Sequence, residues 1–133
     1  MRKIVIILFI GILIGLGPAA SDGTVPGPAD AVQQFFTASK NGDIETMRNL
    51  ITGLFLNRRK TLIEKNPGYS DFLRKQLKGV EIEILSTAIE DNGSSASVTV
   101  RRVYPDGSTF DTKFSLDKSD NGTWKIFDEK PAQ

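Results

Sequence analysis

Hydrophobic residues three and four positions apart give one buried face to each of two predicted helices in the first half of the chain. The first helix runs over 30–40 and ends at Asn41-Gly42, because both residues tolerate the left-handed conformation of a helix C-terminus. Asp43 begins the second helix, since its carboxylate can accept hydrogen bonds from the free amides of the first turn. That helix is predicted to continue to Lys65, with a weak point at Gly53. The residues predicted to be buried are Val32, Phe35, Phe36, Ser39, Ile44, Met47, Leu50, Ile51, Leu54 and Phe55.

From Val80 onward the hydrophobic period changes to two, which is typical of strands with one buried face. Four alternating runs are separated by turns at 91–93, 104–107 and 119–122, each of which contains Asn-Gly or Asp-Gly. The pattern therefore predicts a four-strand antiparallel meander, preceded by a short third helix capped by Ser70. Because helices come first and only one face of the sheet is apolar, we expect an α+β domain with N-terminal helices packed on one face of the sheet.

The N-terminus has the three parts of a secretory signal peptide. Two basic residues follow Met1, the stretch from Ile4 to Gly17 is apolar, and small residues follow as far as Ser21. A helix that crosses a membrane needs about 20 apolar residues, and this run is shorter. We therefore predict cleavage near Ala19 to Ser21.

This interpretation divides the chain into a signal peptide over 1–20, a Gly/Pro linker over 21–29 and one domain over 30–130. It predicts an extracytoplasmic location, either secreted, periplasmic or in the cell envelope. The alternative is a domain that stays anchored to the membrane by residues 4–20, so membrane attachment is expected only if that segment is not cleaved.

The composition excludes several classes of function. The chain has 17 Lys and Arg against 16 Asp and Glu, a net charge of +1, whereas a nucleic-acid-binding domain normally carries a clear positive excess. It has no cysteine, so its stability must come from a hydrophobic core without disulfides. It has no histidine, which removes the commonest general base and most zinc sites. We expect no cofactor and no bound metal.

Two stretches resemble a known family. The helix pair AVQQFFTASKNGDIETMRNLI and the hairpins ASVTVRRVYPDGSTFDTKFSLDKSDNGTWKIFD are similar to small secreted bacterial domains of the nuclear transport factor 2-like superfamily. The resemblance covers 28–128 and implies a cone, in which a strongly curved sheet wraps around the helices and often leaves a pocket at its open end. Members include steroid isomerases, dehydratases and binding domains, so the fold does not decide the function.

Arg102 is the one candidate for a pocket rim. Adjacent strand residues point to opposite faces, and the alternation of Val98 and Val100 predicts that Arg102 points to the concave side. A charge in that place is either paired or lies near the opening of a pocket.

The carboxylates that could act as a catalytic base also have structural interpretations. A carboxylate base needs burial or a like-charged neighbour to raise its pKa. Asp111 and Glu83 lie on the predicted polar faces of strands, and Asp43 is explained as a helix cap. No tyrosine and aspartate pair matches those of the steroid isomerases. We therefore expect the domain not to be an enzyme.

The stretch from Asp117 to Asp128 has the spacing of a calcium loop, with glycine at the sixth position. Lys125 stands at position 9, and Asp128 stands where a bidentate glutamate is expected. Because Trp124 and Ile126 also alternate as in a strand, we interpret the stretch as a polar hairpin turn.

Two predicted helix surfaces are basic, one around Arg58-Arg59-Lys60 and Lys65, the other around Arg74-Lys75 and Lys78. They could meet an anionic polymer, phospholipid headgroups or an acidic partner. The simpler interpretation, which we favour, is a solvated face of long flexible side chains.

The sequence thus predicts a non-catalytic extracytoplasmic domain that binds a small apolar or amphipathic ligand, or an envelope protein, through the cone mouth or the exposed sheet face. A homodimer is compatible with this interpretation. The alternatives are an isomerase- or dehydratase-like enzyme with a carboxylate base in the pocket, and a membrane-anchored interaction module.

Overall fold

The structure, a computed structural model, describes residues 4–7 and 26–132. Its helices are α1 (Pro28–Asn41), α2 (Ile44–Asn49), α3 (Gly53–Lys65) and α4 (Tyr69–Gln76). Its strands are β1 (Ile4–Ile7), β2 (Glu81–Glu90), β3 (Ser95–Val103), β4 (Thr109–Lys118) and β5 (Trp124–Pro131). The strands form one antiparallel sheet in the order β1-β2-β3-β4-β5.

The predicted α+β architecture is confirmed, and β2 to β5 are the predicted meander. The sheet has one strand more than the four predicted, because β1 pairs with β2 from Ile4↔Glu90 to Ile7↔Thr87. β1 lies inside the predicted signal peptide. The composition of the apolar run predicts a signal peptide, and nothing in its pattern predicts a strand. The predicted cleavage region near Ala19 to Ser21 lies outside the described residues, so removal of the segment stays a prediction.

The first helix begins at Pro28, two residues before the predicted start of the domain and within the predicted 21–29 linker. Proline is favoured in the first turn of a helix, because its missing amide would have no intrahelical partner there. The helix ends as predicted next to Gly42, which has a φ of 70° and donates its backbone amide to the carbonyl of Ser39.

The predicted second helix is divided into α2 and α3 by residues 50–52. The amide of Thr52 donates to the carbonyl of Ile126 at 2.9 Å, and the amide of Ile126 donates to the carbonyl of Leu50 at 2.8 Å. Ile51 and Ile126 form a parallel bridge, so these residues leave the helix to pair with the outer edge of β5. Gly53, with a φ of 59°, then lets the chain turn into α3.

Ser70 does not cap the third predicted helix, which is α4. That helix begins at Tyr69 after Gly68, and the Ser70 hydroxyl donates to the carbonyl of Gly42 at 2.8 Å. Ser70 therefore connects α4 to the turn that follows α1. The prediction that Ser70 caps the helix was wrong, because its hydroxyl bonds to another segment.

Four phenylalanine rings fill the space between the helices and the sheet. Phe35 and Phe36 come from α1, Phe55 from α3 and Phe114 from β4. In the contacting pairs, the ring centroids lie 5.5 to 6.5 Å apart. All four side chains are buried. This cluster occupies the concave side of the sheet and brings α1 and α3 against it.

Candidate functional site

Arg102 lies on the helix-facing side of the sheet. It is opposite Ile82 on β2 and Phe110 on β4. Its guanidinium carbon is 5.1 Å from the ring centroid of Phe36 and 6.0 Å from that of Phe110. The side chain therefore points toward the concave interior between two aromatic rings, while its role at the rim of a ligand pocket stays a prediction.

Glu129 joins Arg102 to α3. Its Oε2 accepts a hydrogen bond from Nη2 of Arg102 at 2.6 Å, and its Oε1 lies 3.6 Å from Nη2 of Arg59. The guanidinium carbon of Arg59 stacks 4.0 Å from the ring centroid of Phe55. The side chains of Arg102, Glu129 and Arg59 are 20%, 18% and 28% exposed, so two largely buried guanidinium groups share one carboxylate. We name these three residues the mouth cluster; its formal charge is positive.

A β-bulge puts Glu129 into this position. Ser115 pairs with Asp128 and Leu116 pairs with Ile126, which leaves Phe127 as an extra residue in β5. Glu129 therefore faces inward opposite Phe114, and Asp128 lies across from Ser115 with an ion pair to Arg58 at 3.3 Å. Sequence reasoning missed Glu129, since unbroken alternation from Ile126 would have turned Asp128 inward.

Three buried side-chain atoms make no hydrogen bond within the part of the chain that the structure describes, and one of them, Oδ1 of Asp128, forms the ion pair with Arg58. The other two are Nε of Arg102 and Oγ1 of Thr112. Thr112 is 1% exposed and lies opposite Val100, two pairs along the strands from Arg102 and on the same face of the sheet. Because buried polar groups are nearly always hydrogen-bonded, these atoms mark a place where a polar ligand atom or a water can be held.

A groove of about 350 Å³ lies between α1 and the start of β2. It is lined by Gln33, Phe36, Thr37, Lys40, Val80, Glu81 and Ile82. Phe36 belongs both to this groove and to the aromatic surroundings of Arg102. The mouth cluster and the groove are therefore neighbours on the same side of the domain. A smaller cavity of about 130 Å³ lies beside Trp124 and the turn that precedes it.

The carboxylates considered as bases lie elsewhere. Asp111 faces Arg101 on the outer side of the sheet and accepts two hydrogen bonds from its guanidinium, at 2.8 and 3.0 Å. These hydrogen bonds lower the pKa of Asp111 and raise the pKa of Arg101. Glu83 is opposite Arg101 on the same face. The Asp43 carboxylate accepts hydrogen bonds from the Thr46 hydroxyl at 2.7 Å and the Thr46 amide at 3.2 Å, as expected of a helix cap, and both lower its pKa.

The Asp111–Arg101 pair predicts a pH dependence of stability. Because the folded-state pKa of Asp111 is lowered, the pair contributes its stability above the unfolded pKa and loses it as the pH falls through the folded value. The loss therefore begins below about pH 4.

In urea unfolding measured between pH 7 and pH 2.5, Asp111→Asn should be less stable than the original chain at pH 7, and the difference should shrink toward low pH. Ser115→Ala, on the same outer face, should show a difference that does not change with pH. A constant difference for Asp111→Asn would contradict the prediction.

The stretch with calcium-loop spacing is a hairpin turn in the structure. Oδ1 of Asn121 accepts hydrogen bonds from the Thr123 amide at 3.1 Å and the Ser119 hydroxyl at 2.6 Å, and the Ser119 amide donates to the Thr123 carbonyl at 2.8 Å. These oxygens are thus used to close the turn. Over 4–7 and 26–132, no group of three or more acidic residues is placed to hold a metal ion.

Three arginines of the predicted basic surfaces make contacts inside the domain. Arg58 pairs with Asp128, and Arg59 pairs with Glu129. Arg74 pairs with Asp71 and donates from Nε to the carbonyl of Asn41 at 3.1 Å. For Arg58 and Arg74 these contacts favour a structural role over recognition of an anionic partner.

A comparison with solved structures supports the fold. A crystal structure of a Campylobacter jejuni protein with the provisional name NTF2-like transpeptidase matches with a TM-score of 0.55 and 20% sequence identity, over 75% of this chain and 96% of that chain. Both have helices followed by a curved, open antiparallel sheet. At this identity the likeness shows the fold alone.

The serine/threonine-protein kinase PknA of Nostoc sp. is 30% identical over 106 residues, which is 76% of this chain. The chain spans only 19% of the length of that kinase. No family model matches the chain. None of the helices from α1 to α4 is long and apolar enough to cross a membrane.

Proposed function

We propose that this chain, which has the nuclear transport factor 2-like fold, is a non-catalytic extracytoplasmic domain that binds an amphipathic ligand with a carboxylate at the mouth cluster. The observation that carries the proposal is the setting of Arg102. Its guanidinium lies between the rings of Phe36 and Phe110, is held by Glu129, and keeps a buried Nε–H without a hydrogen-bond partner among the described residues.

The chemistry of the mouth cluster favours an anionic group. Two guanidinium groups and one carboxylate leave a positive charge in surroundings that are largely buried, where a hydrogen bond to a charged partner is stronger than in water. The apolar part of the ligand would contact Phe110, which is 45% exposed, and the groove beyond Phe36. A carboxylate joined to a hydrocarbon chain meets both requirements.

Binding is favoured over acid–base catalysis by the contacts of the inward carboxylate. A general base needs an oxygen within reach of the substrate proton, whereas both oxygens of Glu129 already face arginines, Oε2 at 2.6 Å from Arg102 and Oε1 at 3.6 Å from Arg59. The match to about a fifth of a protein kinase also fits a domain that serves a larger protein as a binding module.

The extracytoplasmic location rests on the signal-peptide pattern. N-terminal sequencing of the exported protein should find a start between Ala20 and Asp22, whereas an intact Met1 in the membrane fraction would indicate the anchored form.

The binding proposal is tested by calorimetric titration of the full chain with decanoate. A charge-assisted hydrogen bond contributes about 1.5–3 kcal/mol, so Arg102→Met should weaken decanoate binding by roughly ten- to a hundredfold. Arg101→Met is the matched control, because its side chain points to the opposite face and pairs with Asp111. It should change the affinity by less than about twofold.

Decanol and decylamine, which share the hydrocarbon chain and lack the carboxylate, should bind at least tenfold more weakly than decanoate. Equal binding of all three compounds, or of decanoate to Arg102→Met and to the original chain, would contradict the proposal. Circular dichroism on each variant confirms that an altered affinity does not reflect an unfolded domain.

A further inference from the structure

The two outer edges of the β2–β5 meander differ in how far other segments cover them. The edge of β5 is covered by residues 50–52 through the hydrogen bonds of Ile126. On the outer side of β2, strand pairing within the described residues covers only Thr87–Glu90, where β1 lies. The stretch from Glu81 to Ser86 is paired with β3 on its other side. This stretch, which we name the β2 edge, is therefore a row of backbone groups without a strand partner in the described part of the chain.

The β2 edge is protected against strand pairing only in part. β2 is long, spanning Glu81–Glu90, and contains neither lysine nor proline, which are common in natural edge strands. Its charge on the outer face comes from Glu81 and Glu83, and it has one bulge, between Ile84 and Ser86. The groove beside α1 adjoins this edge, with the buried side chains of Phe36 and Val80 in its lining.

The kind of segment that fits this edge is shown by β1. Ile4–Ile7 is an extended, apolar run that pairs antiparallel with the last residues of β2. Continuing in the same direction, an antiparallel strand would pass along Ser86 to Glu81 and reach the groove. The predicted removal of residues 1–20 would also remove the pairing of β1 with β2.

The negative charge of the β2 edge favours a partner segment with basic side chains. Glu81 and Glu83 stand on the outer face of the sheet, alternating with the inward Ile82. A second copy of this chain, paired through its own β2, would add further glutamates to that face, and like charges across strands are destabilising. Basic residues at alternate positions would instead be attracted.

We propose that the β2 edge accepts an extended segment of a partner protein as an added antiparallel strand, with apolar residues on the inner side and basic residues on the outer side. Main-chain hydrogen bonds would supply affinity, and the alternation of side chains would supply selectivity. This surface is distinct from the mouth cluster, because the added strand would bind the outer backbone groups of β2. Arg102 pairs with Ile82 across the sheet, and Phe36 lies beside both surfaces. Either proposal can fail without the other, because each is tested with its own probe.

The test uses the full chain and the acetylated, amidated peptide KIKVKIK, with amide hydrogen exchange read by mass spectrometry. The peptide should slow exchange over 81–86 by at least about threefold at saturation, because paired amides are protected. Two matched peptides serve as controls. EIEVEIE keeps the alternation with repulsive charge, and KIKVKIK N-methylated at alternate residues lacks the backbone donors. Neither should protect this stretch.

A charge-reversed chain, Glu81→Lys with Glu83→Lys, should exchange the preference and be protected by EIEVEIE instead of KIKVKIK. Arg102→Met should keep the protection by KIKVKIK, which separates this surface from the ligand site. Three results would overturn the proposal: equal protection by the N-methylated peptide, protection confined to 124–131, or protection of 81–86 that appears without peptide as the protein concentration rises. The last result would identify a second copy of the chain as the occupant.

Discussion

Replacing Phe114 with alanine is expected to lower the free energy of unfolding by about 3–5 kcal/mol, because removal of a buried phenylalanine costs the transfer free energy of the ring and leaves a cavity. The side chain is 0% exposed. Its ring centroid lies 6.4, 6.0 and 6.5 Å from those of Phe35, Phe36 and Phe55, so the ring joins α1 and α3 to the sheet. Urea unfolding at 25 °C, followed by the fluorescence of the single tryptophan, measures the change.

Phe110→Ala is the matched control on the same strand. Phe110 is on the same face as Phe114 but is 45% exposed, so its removal should cost less than about 1.5 kcal/mol. If the two substitutions cost the same, the interior of the domain is not organised around Phe114 as described. Circular dichroism should show that both variants remain folded in the absence of urea.

Replacing Glu129 with glutamine is expected to destabilise the domain by about 1–3 kcal/mol, because it leaves two guanidinium groups without their shared carboxylate. Removal of one partner from a fully buried pair costs about 3–5 kcal/mol, and partial exposure of the mouth cluster reduces this through solvent screening. The effect should therefore fall below that of Phe114→Ala. Urea unfolding of the variant under the same conditions measures it.

The origin of the Glu129 effect is tested by a double-mutant cycle with Arg102→Met. If the cost comes from an uncompensated charge on Arg102, the double variant should lose less stability than the sum of the two single variants. Lys130→Gln, at the next residue of β5 and opposite Lys113 on the outer face, should change stability by less than about 0.5 kcal/mol. Additive effects within the cycle would show that Glu129 and Arg102 are not coupled.

The faces of the central strands could be predicted from sequence, because β3 and β4 pair without interruption in alternation from Ser95↔Asp117 to Val103↔Thr109. For that reason the direction of Arg102 followed from its neighbours Val98 and Val100. The end of α1 was predictable in the same local way, since Gly42 adopts the positive φ that glycine accepts readily.

The remaining parts depend on contacts between distant segments. The division of α2 from α3 comes from pairing of residues 50–52 with Ile126, which no local pattern in the helix region encodes. Glu129 reached the mouth cluster through the bulge at Phe127, and an extra residue in a strand leaves no mark on the alternation before it. The sequence shows Arg59 only as part of a basic helix surface, because it does not reveal that Glu129 is its partner.

The pairing of residues 50–52 with Ile126 also has a consequence for the order of folding. Contacts between segments so far apart in sequence form late, since the chain between them must first lose conformational freedom. The junction of α2 and α3 is secured by β5, so β5 must leave the ribosome before this junction can form. A nascent or truncated chain without β5 would lack the contacts that hold this junction, and completion of the domain therefore depends on synthesis of β5.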